Sequence, residues 1–103
     1  MDEVLRTRID QLIKASPVLL FMKGSPQAPQ CGFSARVIDA LQDLDAEFTT
    51  FDILSDASMR QGVKEYGSWP TFPQLYVRGE LVGGCDIVTE MYTNGELKAL
   101  LKS

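Results

Sequence analysis

Apolar residues near the start of the chain recur at helical spacing, with Leu5, Ile9, Leu12 and Ile13 falling on one face. The pattern stops at Ser16-Pro17, because proline disfavours a helical conformation in the residue before it. Val18 to Met22 is then an uninterrupted apolar run, as a central strand covered on both faces requires. The following Lys23-Gly24-Ser25-Pro26-Gln27-Ala28-Pro29-Gln30 is rich in residues that punctuate structure and predicts a loop. Beyond it, Val37, Ile38, Leu41 and Leu44 mark the buried stripe of a second helix. Glu47 to Leu54, rich in Phe and Thr, predicts a second strand, and its connection to the first through a helix makes the pair parallel.

In the second half the order changes. Ser55 or Asp56 caps a helix carrying Met59, Val63 and Tyr66, which ends at Gly67-Ser68 ahead of Trp69-Pro70. Gln74 to Arg78 and Leu81 to Gly83 are short strands about a turn at Gly79-Glu80. Ile87 to Tyr92 and Glu96 to Leu101 close the chain as helix, interrupted at Asn94-Gly95. A helix, a β-α-β unit, a helix, a β-hairpin and a final helix give an α/β protein. Its four-stranded mixed sheet flanked by helices is a thioredoxin-like arrangement. At 103 residues the chain is read as a single domain over 1–103.

Composition mainly removes alternatives. Ten Lys and Arg against fourteen Asp and Glu leave a net charge of -4, so the chain has no basic footprint for nucleic acid. The longest apolar run falls far short of a membrane span, so a soluble protein is expected. With no histidine, Cys-His and Ser-His-Asp catalysis and mixed Cys/His zinc sites are excluded. Cys31 and Cys85 alone cannot supply the four thiolates of an iron–sulfur or Cys-only zinc site, so any such site must borrow ligands. Two cysteines also argue against a disulfide scaffold and for a reducing compartment. The opening Met-Asp-Glu-Val-Leu resembles neither a secretory signal nor a transit peptide, although a removed leader leaves no trace.

The candidate chemistry centres on Cys31-Gly32-Phe33-Ser34, which places one thiol where a helix begins and a serine where a second thiol could sit. Cys-x-x-Cys closes an internal disulfide, whereas Cys-x-x-Ser keeps the nucleophile and loses its resolving neighbour. Free backbone N–H groups and the positive end of the helix dipole favour the Cys31 thiolate, with Lys23 a nearby cation.

Lys23-Gly24, Pro29-Gln30-Cys31-Gly32-Phe33-Ser34, Trp69-Pro70-Thr71-Phe72-Pro73-Gln74 and Gly83-Gly84-Cys85-Asp86 together resemble the four signatures of the monothiol, Cys-Gly-Phe-Ser type glutaredoxins. They stand in the family's order, and the likeness runs over almost the entire chain. The resemblance implies a glutathione-binding domain of the bacterial or mitochondrial single-domain class. Such a protein lies in the bacterial cytoplasm, or in the mitochondrial matrix where a leader has been removed. It implies a homodimer formed around a shared [2Fe-2S] cluster, each chain giving Cys31 and one glutathione sulfur, and delivery of that cluster to apo iron–sulfur acceptor proteins. On this reading the chain is a carrier more than an enzyme. Two alternatives share the site: a glutathione-dependent thiol oxidoreductase that uses Cys31 alone, and a regulator that pairs with a BolA-like protein.

The same resemblance implies that Lys23 and Arg60 meet the glycyl carboxylate of glutathione. Pro73 would follow a cis bond, the Phe72 backbone would pair with the cysteinyl part, and Cys85 and Asp86 would receive the γ-glutamyl end. Cys85 has two readings, a backbone contact with its thiol as packing or a disulfide with Cys31 under oxidation. Trp69 and Tyr66 are read as core or rim packing ahead of a partner-binding patch.

Overall fold

The apolar run at 18–22 forms the centre of the molecule in the computed structural model, which describes residues 1–103. Strand β1 (Val18–Met22) is buried along its whole length. After it come two very short strands, β2 (Gly24–Ser25) and β3 (Ala28–Pro29), paired as a small separate hairpin. The main sheet has the order β4-β1-β5-β6, with β4 at Thr49–Asp52, β5 at Gln74–Val77 and β6 at Glu80–Gly83. Strand β4 lies parallel to β1 with Leu19 opposite Thr49, while β5 runs antiparallel with Leu20 opposite Leu75. This is the mixed, thioredoxin-like sheet that the element order predicts.

Successive side chains of a strand point to opposite faces, so β1 feeds two cores. Val18, Leu20 and Met22 pack with Val37, Ile38 and Leu41 of α2 (Gly32–Asp43), Val88 of α4 (Cys85–Asn94) and Leu97 of α5 (Glu96–Lys102). Leu19 and Phe21 pack on the other face with Ile9 and Ile13 of α1 (Glu3–Ala15) and Met59 and Val63 of α3 (Ala57–Gly67). Phe21 meets Tyr76 edge-on at 5.6 Å between ring centroids, a favoured aromatic geometry. No helix is long and apolar enough to cross a membrane.

Four sequence expectations shift. The segment read as a loop at 23–30 holds the β2-β3 hairpin, and the second strand is cut to four residues by a 3-10 turn at Ile53–Ser55. The turn between β5 and β6 centres on Arg78 and Gly79 rather than on Gly79-Glu80, with positive φ at both residues (49° and 82°). Helix α4 starts at Cys85, two residues earlier than its apolar pattern indicates.

Of the two residues proposed to cap α3, the structure uses Asp56. Its carboxylate accepts from the Met59 N–H at 3.0 Å and from Arg8 Nη1 at 3.0 Å. The Met59 N–H first, then Arg8, hold its pKa below the usual carboxylate range. A depressed carboxyl pKa contributes stability above the unfolded value and loses it as pH falls through the folded value. Asp56→Ala is therefore expected to lower the melting temperature by roughly 5 °C at neutral pH. The gap between variant and parent should close in strong acid, which thermal melts at the two pH values check.

Candidate functional site

The hairpin after β1 brings the first two site residues together. Gly24 sits at φ 90°, and its N–H donates to Asp52 Oδ1 at 2.9 Å, tying the hairpin to the end of β4. The Gln30 N–H donates to the Lys23 carbonyl at 2.9 Å, which closes the hairpin and sets Cys31 down beside Lys23. From Cys31 the chain turns directly into α2, with Cys31 itself at the N-cap in an extended conformation.

The serine in the second thiol position has a structural task. Ser34 is fully buried, and its hydroxyl accepts from the Lys23 N–H at 3.2 Å, bonding α2 to the residue that leaves β1. Ser34→Ala leaves that N–H without a partner and is expected to cost about 1–2 kcal/mol. Urea denaturation of the variant measures it.

A cavity of about 600 Å³ opens where these elements meet the other face of the site. Lys23, Cys31, Arg60, Phe72, Cys85 and Asp86, all six residues singled out in the sequence, line it. Cys31 is partly exposed and its pKa is lowered. The backbone N–H of Ser34 is the largest influence, although no full capping hydrogen bond is formed, and the Phe33 N–H and the Lys23 charge act in the same direction against the cost of burial. Cys85 is the opposite case. The residue is 8% exposed, and burial pushes its thiol up against the favourable field of Arg36. Both thiols are free, and the structure holds no Cys31–Cys85 disulfide.

Phe72 contributes its backbone. The ring is buried in the core with Phe21 and Tyr76, the Phe72-Pro73 bond is cis, and the Phe72 N–H makes no backbone hydrogen bond. The start of α4 offers similar free groups. The first N–H of that helix with an acceptor is that of Val88, on the Gly84 carbonyl at 3.0 Å, so those of Cys85 and Asp86 remain free at the cavity wall. The chain's ion pairs are Arg8–Asp56 and Lys14–Asp10, leaving Lys23, Arg60 and Lys64 as uncompensated cations around the cavity. Asp86 is its one carboxylate. A thiolate, free N–H groups, three cations and one anion suit a small ligand carrying carboxylates and an amine. No group of three His, Cys, Asp or Glu side chains exists that could hold a metal ion within one chain.

Some wall residues were not singled out. Lys64 lies one helical turn from Arg60, a spacing legible in the sequence, whereas Gln61 and Leu54 carry no such signal. Trp69, read as packing, lines the cavity, while Tyr66 does pack against the core and donates to Asp10 Oδ1 at 2.8 Å. Gly84 permits the close approach of α4 to this wall, since a Cβ there would lie 3.2 Å from the Trp69 indole nitrogen and 3.3 Å from the Pro73 carbonyl.

Comparison with known proteins agrees with this geometry. The glutaredoxin family model matches residues 18–82. Monothiol glutaredoxin-S11 of rice (Oryza sativa subsp. japonica) is 52% identical over 98% of this chain, which spans 21% of that protein's length. A monothiol glutaredoxin, ycf64-like, of Synechocystis sp. is 53% identical over 99% of this chain and 95% of its own. The solution structure of reduced poplar apo GrxS14 superposes with a TM-score of 0.83 at 50% identity, covering 95% of this chain and 90% of that one. Fold, lone nucleophilic thiol and cavity thus coincide with a relationship that spans nearly the whole sequence, and the chain belongs to the glutaredoxin family, among the monothiol glutaredoxins.

Proposed function

We propose that this chain binds glutathione in the cavity and that two copies together carry a [2Fe-2S] cluster, which they pass to apo iron–sulfur proteins. The observation that supports this most directly is the pairing of one low-pKa thiol, Cys31, with a cation-lined cavity and with no second usable thiol beside it. Ser34 occupies the resolving position and is committed to Lys23, while the Cys85 thiol is buried and held protonated. Lys23 and Arg60 suit the glycyl carboxylate of glutathione, the free Phe72 N–H its cysteinyl carbonyl, and the start of α4 with Asp86 its γ-glutamyl carboxylate and amine. A [2Fe-2S] cluster takes four thiolates. One protein thiolate per chain fits that requirement only if glutathione supplies a second and a partner copy supplies the rest. Half of the ligands are then held without a covalent bond to protein, as suits cargo that must leave.

The lowered pKa and partial exposure of Cys31 also favour thiol–disulfide exchange. In that reading the Cys31 thiolate attacks the glutathione sulfur of a mixed disulfide and releases the target's thiolate. A second glutathione thiolate then attacks the resulting Cys31–glutathione bond, freeing Cys31 and leaving as glutathione disulfide.

Anaerobic reconstitution with iron, sulfide and glutathione tests the carrier reading. The unmodified protein and Cys85→Ser should gain visible absorption and double in mass, and Cys31→Ser should do neither. A colourless, monomeric unmodified protein overturns the proposal, and reduction of a glutathione mixed disulfide then becomes the activity to assay.

A further inference from the structure

Strand β5 begins with a buried polar residue that the cavity does not touch. Gln74 is 0% exposed, immediately follows the cis Phe72-Pro73 bond and pairs with Phe21 of β1. Such a side chain is costly unless every polar atom is satisfied. Here each is. Nε2 donates to the Trp69 carbonyl at 3.0 Å and to the Thr71 carbonyl at 3.3 Å, and Oε1 accepts from the Tyr76 hydroxyl at 3.2 Å. The reverse amide orientation would set Oε1 against two carbonyl oxygens, so the contacts fix which end is which.

The two carbonyls belong to the segment 69–73, every residue of which lines the cavity, including Phe72 with its free N–H. The Gln74 amide therefore holds this wall from behind. Its own position is set from the other side. Tyr76 is 2% exposed, meets Phe21 and Tyr66 edge-on, and has its hydroxyl pKa pushed up to about 12 by burial, so it stays a proton donor to Oε1. Helix α3, which carries Arg60 and Lys64, ends against the same pair. A Cβ on Gly67 would lie 2.6 Å from the Tyr76 hydroxyl and 3.4 Å from Gln74 Oε1.

We infer that Gln74, held by Tyr76, is a positioning residue for ligand binding: it fixes the Trp69–Pro73 wall so that the Phe72 N–H meets the ligand, and it registers that wall against the end of the cation-bearing helix. The inference rests on the reading of the cavity as a glutathione site. Removing the amide leaves the Trp69 and Thr71 carbonyls without this donor, so they turn toward water and take the wall with them.

Gln74→Met keeps side-chain length and loses all three hydrogen bonds, and Tyr76→Phe loses only the support of Oε1. Both are compared with the unmodified protein by calorimetric titration with glutathione well below their melting temperatures. Iodoacetamide reaction at Cys31 and amide hydrogen exchange at Trp69 are followed in parallel. Gln74→Met should weaken glutathione binding about tenfold and Tyr76→Phe about threefold, the scale of one lost or loosened hydrogen bond. Exchange at Trp69, whose N–H donates to the Lys64 carbonyl at 3.0 Å, should speed up, and Cys31 alkylation should stay within about twofold, since the thiol is placed by other elements. Unchanged affinity in whichever variants fold overturns the inference, as does a loss of affinity matched by an equal loss of Cys31 reactivity, which would mark general loosening. If the unmodified protein itself does not bind glutathione, the glutathione reading fails, and amide exchange at Trp69 alone decides whether Gln74 fixes the wall.

Discussion

Iodoacetamide at neutral pH is expected to modify Cys31 at least about tenfold faster than Cys85, a ratio that thiolate fraction and access set together. Cys31 stands at the start of α2, where the Ser34 N–H and then the Phe33 N–H stabilise the anion with help from Lys23, so its pKa falls. Cys85 lies one helix away at the start of α4 and also has free N–H groups near it, but its side chain is buried and its pKa rises. Burial outweighs the helix end at Cys85 and is outweighed at Cys31. The alkylation rate of Cys31 should therefore reach its plateau at lower pH than that of a free thiol, and that of Cys85 at higher pH. The same lowered pKa makes the fold gain stability as pH rises through the folded value of Cys31 toward the unfolded one, and it contributes nothing below both. Peptide mass mapping after timed alkylation measures the two rates separately. Equal rates would show that Cys85 is open to the cavity in solution and would restore its thiol as a redox partner for Cys31.

The contrast between the two thiols also shows where sequence reading stops. A Gly-bearing loop ahead of a helical stripe makes Cys31 legible as a reactive position, because loop, helix start and neighbouring cation are all local. Cys85 follows Gly83-Gly84, and only the packing of α4 against α2 decides that its side chain turns inward. Long-range contacts explain the other differences. Arg78 adopts positive φ in the β5-β6 turn while its guanidinium donates to the Leu100 carbonyl at 3.0 Å and the Ser103 carbonyl at 3.1 Å. That tie to the end of α5 accompanies a turn one residue earlier than Gly79-Glu80 suggests. Trp69 reads as packing because an aromatic beside a proline is ambiguous. Its place in the wall depends on Gln74 five residues on and on Gly84 from another element. By contrast the five apolar residues of β1 and the stripes of α1, α2 and α3 follow from period alone, since burial acts on each element's own face.

Gly24→Ala should cost at least about 3 kcal/mol and disable the site together with the fold around it. The residue sits at φ 90°, a conformation that an alanine resists by about 1–2 kcal/mol. Space is the larger obstacle. A Cβ would lie 2.5 Å from the Ala28 carbonyl oxygen and 2.7 Å from the Gln30 nitrogen, and both are backbone atoms that cannot rotate away. To admit it, the β2-β3 hairpin must open, which breaks the Gln30 N–H bond to the Lys23 carbonyl and the Gly24 N–H bond to Asp52. Those two bonds place Lys23 and deliver the chain to Cys31. Opening the hairpin therefore removes the cation from the thiol and loosens the start of α2 in one step. Gly79→Ala is the control: its φ of 82° is just as unfavourable for alanine, but no atom lies within 4 Å of the added Cβ. The control should lose only the conformational part, about 1–2 kcal/mol, and keep rapid alkylation of Cys31. Urea denaturation with alkylation kinetics on both variants separates the contributions. Equal losses in the two would mean that the hairpin yields without resistance, and that Lys23 and Cys31 are held in place by α2 and Ser34 instead.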